Sequence, residues 1–475
     1  MKDDGSEAHD PDFPPRFVEF MRTGWGDSPI GVTVRPEAPL LAKRRAAVAA
    51  AFAGETLVIP TGRERTRSND TGYLFRPGSD HAWLTADHDP DSVLVVRPDG
   101  EAVLFARPRS PRDSDEFFRN RAHGELWVGR RHTLAEKSAE LGVDTADLAE
   151  LPGVLDDLAP GRTRVLRGLD REVDRAVRAV GTERDAELAT TLAELRLVKD
   201  DWEVAQLQAA CDATARGFED VARVLPADRP VSERLLEGVF GLRARHDGNG
   251  IGYNSIVAAG PHATILHWNH NHGHTVPGGL LLMDMGVEGH HLYTADVTRT
   301  LPVSGTFTPL QRQVYETVQR SQAAGIAAIR PGVAFEDVHQ ACMRALAEGL
   351  ADLGVLPVSV DEAMDPEAIL YRRWSLHGFG HMLGLDVHDC AASRPEKYKK
   401  GTLAEGYVLT VEPGLYFQAD DELVPAELRG IGVRIEDDVL VTASGAQVLS
   451  AGLPTAAAEV EAWLAAQREA GPRLP

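Results

Sequence analysis

The chain has 475 residues, 43% of them hydrophobic, and a formal net charge of -22. A single core stops growing at roughly 250–300 residues, so two domains are expected. The acidic balance argues against nucleic acid and anionic membranes as partners. Three cysteines, Cys211, Cys342 and Cys390, are dispersed and odd in number, which excludes a disulfide framework or a CxxC zinc site. The start, MKDDGSEAHD, lacks the apolar core of a signal peptide. No run reaches the roughly 18 apolar residues that span a bilayer, so a cytoplasmic protein is expected.

Residues 1–38 are polar and rich in proline and glycine, and predict an N-terminal arm with a short helix at 16–21. KRRAAVAAAF (43–52) reads as a helix and TLVIP (56–60) as a buried strand. SVLVV (92–96) and AVLFA (102–106) flank a PDG turn and predict a hairpin. WVG (127–129) and TRVL (163–166) are weaker strand candidates, and helical patterns cover 133–141 and 171–179. This alternation predicts an α/β domain over 39–185. Apolar residues then recur three and four apart over 184–224, the mark of a long helical stretch. The remainder, 186–475, holds two long helices, 309–329 and 335–353, around the turn RPGVA. Its strand candidates are SIVAAG, LLLMD, TRTLPV, VLTVEPG and GVRIEDDVLV. Helices mixed with strands outside a strict βαβ order predict an α+β domain with a curved, largely antiparallel sheet.

The candidate chemistry lies in this second domain. Asp284 ends LLLMD, Asp296 lies in YTADVTRT, His381 in HGFGHMLG, Glu412 in VLTVEPG and Glu436 in GVRIEDD. Carboxylates beside apolar strand residues need a cation or a hydrogen-bonding partner when buried. Four carboxylates and one imidazole suit two divalent ions, and an oxygen-rich set points to manganese. Taken singly, each acid is equally readable as a cap, a turn or a surface residue.

The ordered strings DMG (284–286), YTADVTRT, HGFGHMLGLDVHD (377–389), VEPGLYF (411–417) and RGIGVRIEDD (429–438) resemble the pita-bread metallopeptidases, and among them aminopeptidase P. RSNDTGYLFRPGSDHAWLT (67–85) and WVGRR (127–131) resemble the N-terminal, creatinase-like domain of that family. The resemblance implies a pair of divalent ions held by Asp284, Asp296, His381, Glu412 and Glu436, with Asp296 and Glu436 shared. It further implies hydrolysis of the N-terminal Xaa-Pro bond by a hydroxide bridging the two ions. Glu412 would move the proton, His388 would face the oxyanion, His377 would line the pocket and His267 would relay a proton to the leaving side. Arg434 and Thr298 are candidates to support the ligand carboxylates, and Tyr416 to border the pocket.

MGVEGHHLYTA, between Asp284 and Asp296, is one residue longer than the common family form, which leaves His290 and His291 as tip residues. The implied substrates are peptides with proline second. The implied assembly is a homo-oligomer, dimer or tetramer, with Asp80, Trp83, Arg130 and Arg131 as candidates to reach a neighbouring site or, alternatively, to serve ordinary structural roles. Two other readings compete: an Xaa-Pro dipeptidase (prolidase), and a non-catalytic binding protein on the same fold. No GxGxxG, GxxxxGK[ST] or GxSxG motif supports a dinucleotide, nucleotide or serine-hydrolase enzyme.

Overall fold

The computed structural model describes residues 13–178 and 182–474. The first twelve residues of the expected arm, and residue 179 at the end of one expected helix, lie outside the described residues. The chain divides into two units, Met1–Leu192 and Ala193–Pro475. The division falls inside the helix Thr182–Leu195, a little after the expected boundary at 185.

The first unit is built on a five-stranded sheet. Its spatial order is Asp144–Asp147, Ala102–Ala106, Val93–Val96, Thr56–Pro60 and Thr163–Val165. The hairpin forms as expected, with Val96 opposite Ala102. The two outer pairings are parallel and the inner ones antiparallel, so the sheet is mixed. Alternate residues of a strand share a face. Val58, Val93, Val95 and Phe105 accordingly pack together against Leu151, Leu155, Val173 and Val177. WVG does not form a strand. Glu125–Val128 is one turn of helix, ended by Gly129 at φ +88°, and the Trp127 indole donates to the Phe118 carbonyl. Beneath the helix Leu134–Leu141, Lys137 Nζ donates to Asp87 at 2.5 Å and to Asp89 at 2.6 Å.

The stretch expected to be helical over 184–224 is interrupted. Helix Thr182–Leu195 stops, and a second helix, Asp201–Val224, starts at a capping box: Asp200 accepts from the Glu203 amide and Glu203 accepts from the Asp200 amide. Reciprocal capping satisfies two orphan donors and fixes a new helix start.

In the second unit every strand pairing among the described residues is antiparallel. One sheet sets Leu280–Met285 between Ile256–Ala259 and Val297–Pro302. A second runs Val408–Val411, Asp437–Thr442, Gly445–Val448, and Gly414–Tyr416 pairs with Gly432–Arg434. The helices Pro309–Ala328 and Phe335–Asp352 approach closely because Gly325 faces the Cys342 sulfur and Gly349 faces Thr317, where a Cβ would collide. Val314, Val318, Leu346, Leu409, Val411 and Val439 belong to one apolar core between helices and strands. Each such buried side chain contributes roughly 1.5–3 kcal/mol. No described helix is long and apolar enough to cross a membrane.

Candidate active site

Three backbone junctions bring the expected site residues to one cavity. Asp284 sits on the central strand Leu280–Met285, opposite Thr298 of Val297–Pro302, and Asp296 immediately precedes that second strand. The Glu436 amide donates to the Thr298 carbonyl at 3.1 Å, which lays Glu436 beside the same pair. His381 and Glu412 meet because 379–382 runs along Val408–Val411. The His381 amide donates to Thr410 Oγ1, the Thr410 amide to the His381 carbonyl, and the Glu412 amide to the Phe379 carbonyl. Gly380 permits this approach, since a Cβ there would strike the Thr410 carbonyl.

The cavity has a volume of about 780 Å³, and its walls include Asp284, Asp296, His381, Glu412 and Glu436. Donor atoms of Asp296, His381 and Glu436 lie within 4.8 Å of one another. His381 Nε2 is 3.3 Å from Asp296 Oδ2 and 3.4 Å from Glu412 Oε1. Asp284 is engaged at both oxygens: Tyr253 donates to Oδ1 at 2.6 Å and Arg434 to Oδ2 at 2.6 Å. Asp284 and Glu412 therefore line the cavity beside the tighter trio.

The electrostatics show what this donor set requires. Burial pushes the Glu436 carboxyl well up, and the charges of Asp296 and Glu412 push it further. Burial likewise lifts Glu412 to about 7 and Asp284 to about 6, with His381 and Arg434 respectively opposing the shift. Burial works against the His381 imidazolium, but Asp296 and Glu412 outweigh it and lift that group to about 9. Four acids face one imidazole and one guanidinium, so the geometry calls for added positive charge. Hard oxygen donors with a single nitrogen fit divalent cations.

Around these five the supporting contacts are dense. Thr298 Oγ1 donates to Glu436 at 2.6 Å while accepting from Arg434 Nε at 3.0 Å. Arg434 also donates to the Tyr416 hydroxyl at 3.0 Å. That hydroxyl in turn donates to His377 Nε2 at 2.7 Å, leaving the proton on Nδ1, 2.8 Å from the Gly378 carbonyl. Burial and then Arg434 push His377 down to about 3, so its ring is neutral. His388 is exposed on the cavity wall, its ring edge-on to His381 at 4.4 Å. The adjoining Asp389 is buried and held by Lys199 at 3.0 Å and by Arg196.

His267 is exposed and also lines the wall. Its loop is pinned by Glu233, which is fully buried and accepts from the Ala259 and Gly273 amides, from Trp268 and from His262. His262 stacks on Trp268 at 3.8 Å, so it is structural. At the hairpin tip His290 is exposed, whereas His291 packs edge-on to Trp202. In the first unit Trp83 is buried and Arg131 donates to the Pro108 carbonyl.

Three residues of the site were missed in the sequence. Thr410 precedes Glu412 by two positions and Asp438 follows Glu436 by two, so strand periodicity could have flagged both. Asp438 is buried and accepts the Asp296 amide at 3.0 Å. Tyr253 carries no such signal, since it lies outside the apolar strand that follows it.

Comparison with known proteins decides the family. The model of metallopeptidase family M24 matches residues 205–443, and that of the aminopeptidase P N-terminal domain matches 41–166. The chain belongs to metallopeptidase family M24. Xaa-Pro aminopeptidase 1 of Streptomyces coelicolor is 53% identical to this M24 chain over 455 residues, covering 95% of the chain and 92% of the relative. The Escherichia coli Xaa-Pro aminopeptidase is 34% identical, covering 90% of the chain and 97% of the relative. The structure of aminopeptidase P from Escherichia coli with the inhibitor Pro-Leu superposes with a TM-score of 0.81 at 32% identity, over 93% of this chain and all of that one. A zinc-substituted form of the same enzyme with product gives 0.80, also at 32% identity. The M24 assignment supports a divalent metal at the cluster described above.

Proposed function

We propose that this chain is an Xaa-Pro aminopeptidase, which hydrolyses the bond between an N-terminal residue and a following proline. The observation that carries the reading is the convergence of Asp296, His381 and Glu436 on one point of a cavity also walled by Asp284 and Glu412. These five would hold two divalent ions, manganese by the hardness of the donor set. Bound there, such ions acidify a water molecule and so supply the nucleophile.

The chain's own groups supply the remainder. Glu412, on the cavity wall beside His381, accepts the proton released on attack and delivers it to the proline nitrogen. That delivery matters because an unprotonated amide nitrogen is a poor leaving group. His388 stands at the cavity wall beside His381 and would donate to the developing oxyanion. The neutral ring of His377, held by Tyr416, shapes the wall on the Glu412 side, 3.6 Å from that carboxylate. His267, on the same cavity wall, would relay the proton to the leaving amine. Arg434 and Thr298 hold Asp284 and Glu436 in position.

The deciding experiment pairs metal analysis with a peptide panel. Manganese-dependent cleavage of Xaa-Pro-Yaa-Yaa, without cleavage of matched peptides lacking proline second, is the expected result. Cleavage of the Xaa-Pro dipeptide alone would make the enzyme a dipeptidase instead. We also propose a cytoplasmic homo-oligomer, dimer or tetramer, which sedimentation of the purified chain tests.

A further inference from the structure

Lysine is scarce in this chain. It has seven, and three of them, Lys397, Lys399 and Lys400, fall within four residues. The run is fixed in place. Tyr398, buried among the lysines, accepts the Met382 amide at 2.7 Å and so ties the run to the backbone following His381. The Lys400 amide donates to the Pro395 carbonyl at 2.7 Å, which closes the turn, and the Phe335 amide holds the Gly401 carbonyl at 3.0 Å.

Lys399 lies on the wall of the catalytic cavity with Ser393, Pro395 and His388. It is exposed and makes no ion pair among the described residues. Its charge is felt at His388. The wall's other permanent cation, Arg434, is committed to Asp284, Thr298 and Tyr416. A chain of net charge -22 repels a peptide that carries its own carboxylate. Lys399 sets a positive charge on the cavity wall against that overall sign. A cavity of about 780 Å³ has room for residues beyond the proline.

We propose that Lys399 binds a carboxylate of the substrate on the C-terminal side of the scissile bond, so that peptides negatively charged shortly after the proline are preferred. The inference rests on the Xaa-Pro aminopeptidase reading. The carboxylate could belong to the peptide's C-terminus or to an acidic side chain. An ammonium on a flexible stem serves either, as a point charge with three donors.

Four substrates separate the possibilities at low ionic strength: Ala-Pro-Ala, its C-terminal amide, and the amides of Ala-Pro-Glu and Ala-Pro-Gln. The metal-loaded wild type is expected to favour a charged peptide over its neutral partner by about fivefold in kcat/KM, with the difference in KM and shrinking as salt is added. Preference for Ala-Pro-Ala over its amide assigns the terminus. Preference for the Glu amide over the Gln amide assigns the side chain. In Lys399→Gln the charged-to-neutral ratio should fall to about one, while Lys399→Arg restores it and Lys400→Gln leaves it intact. A wild-type ratio near one, or a ratio that survives Lys399→Gln, overturns the inference. Failure of the wild type to cleave any of the four would instead sink the aminopeptidase reading, and this inference with it.

Discussion

Arg434 donates to Asp284, Thr298 and Tyr416 at once, so one guanidinium links one proposed ligand carboxylate, the support of a second, and the ring that fixes His377. Such outer contacts set how well first ligands are aimed. Tyr253→Phe removes the hydroxyl donor from Asp284 and its interaction with Asp296. Its affinity for divalent metal should fall about 10- to 100-fold with folding intact, as titration with metal monitored by calorimetry will show. Glu412→Gln keeps a ligand oxygen and removes the proton acceptor. The variant should retain metal while kcat drops by about 10²–10⁴; an unchanged kcat would remove Glu412 from the proton path. At this scale much was legible. Arg434 and Thr298 stood out because each lies two residues from a candidate acid, Glu436 and Asp296. Tyr253 was not, because what places it is strand pairing far along the chain.

Gly286 lies between the two acidic segments, where a Cβ would strike the Ala295 carbonyl. Gly286→Ala must push apart the strands that carry Asp284 and Asp296. A loss of about 1–3 kcal/mol in denaturant stability is expected, together with weakened metal retention. In the first unit the element to test is the Asp87–Lys137 pair. Burial opposes ionisation of Asp87, but Lys137 and then His81 outweigh it and hold the carboxyl below its usual range. A depressed carboxyl stabilises the fold above its unfolded pKa of about 3.9 and loses that contribution as pH falls through the folded value. Asp87→Asn leaves Lys137 with Asp89 alone and should cost about 1–3 kcal/mol at pH 7, and its gap to wild type should narrow below about pH 4. Equal gaps at pH 7 and pH 3 would contradict this. Among the elements, period and turn residues sufficed for TLVIP and for the hairpin at 92–106. They failed for WVG, whose three apolar-looking residues cannot distinguish one helical turn from a strand. The break at 196–200 was signalled by Asp200 and Glu203, a capping pair outweighed by the surrounding periodicity.

For the whole molecule, a ligand that binds the native state alone raises stability in proportion to the logarithm of its excess over Kd. Manganese at about 100 times Kd should therefore add about 2.7 kcal/mol per independent site. Chelation should lower the melting temperature of wild type, and do so less for Glu436→Ala. No metal-dependent shift in wild type would refute the ligand set. Two domains, and the class of each, were legible from length and alternation. The closeness of Asp296, His381 and Glu436 was not, because it depends on pairings between separate segments, 29 residues apart for His381 with Thr410 and 138 for Thr298 with Glu436, that no local pattern encodes. The clasp of Arg196 and Lys199 on Asp389 bears on how the enzyme can be dissected. Both cations precede residue 205, where the M24 match begins. A fragment cut there would strand an interior anion next to His388, at a cost of about 3–5 kcal/mol. The smallest autonomous hydrolase inside this polypeptide must therefore start upstream of the family's recognised border.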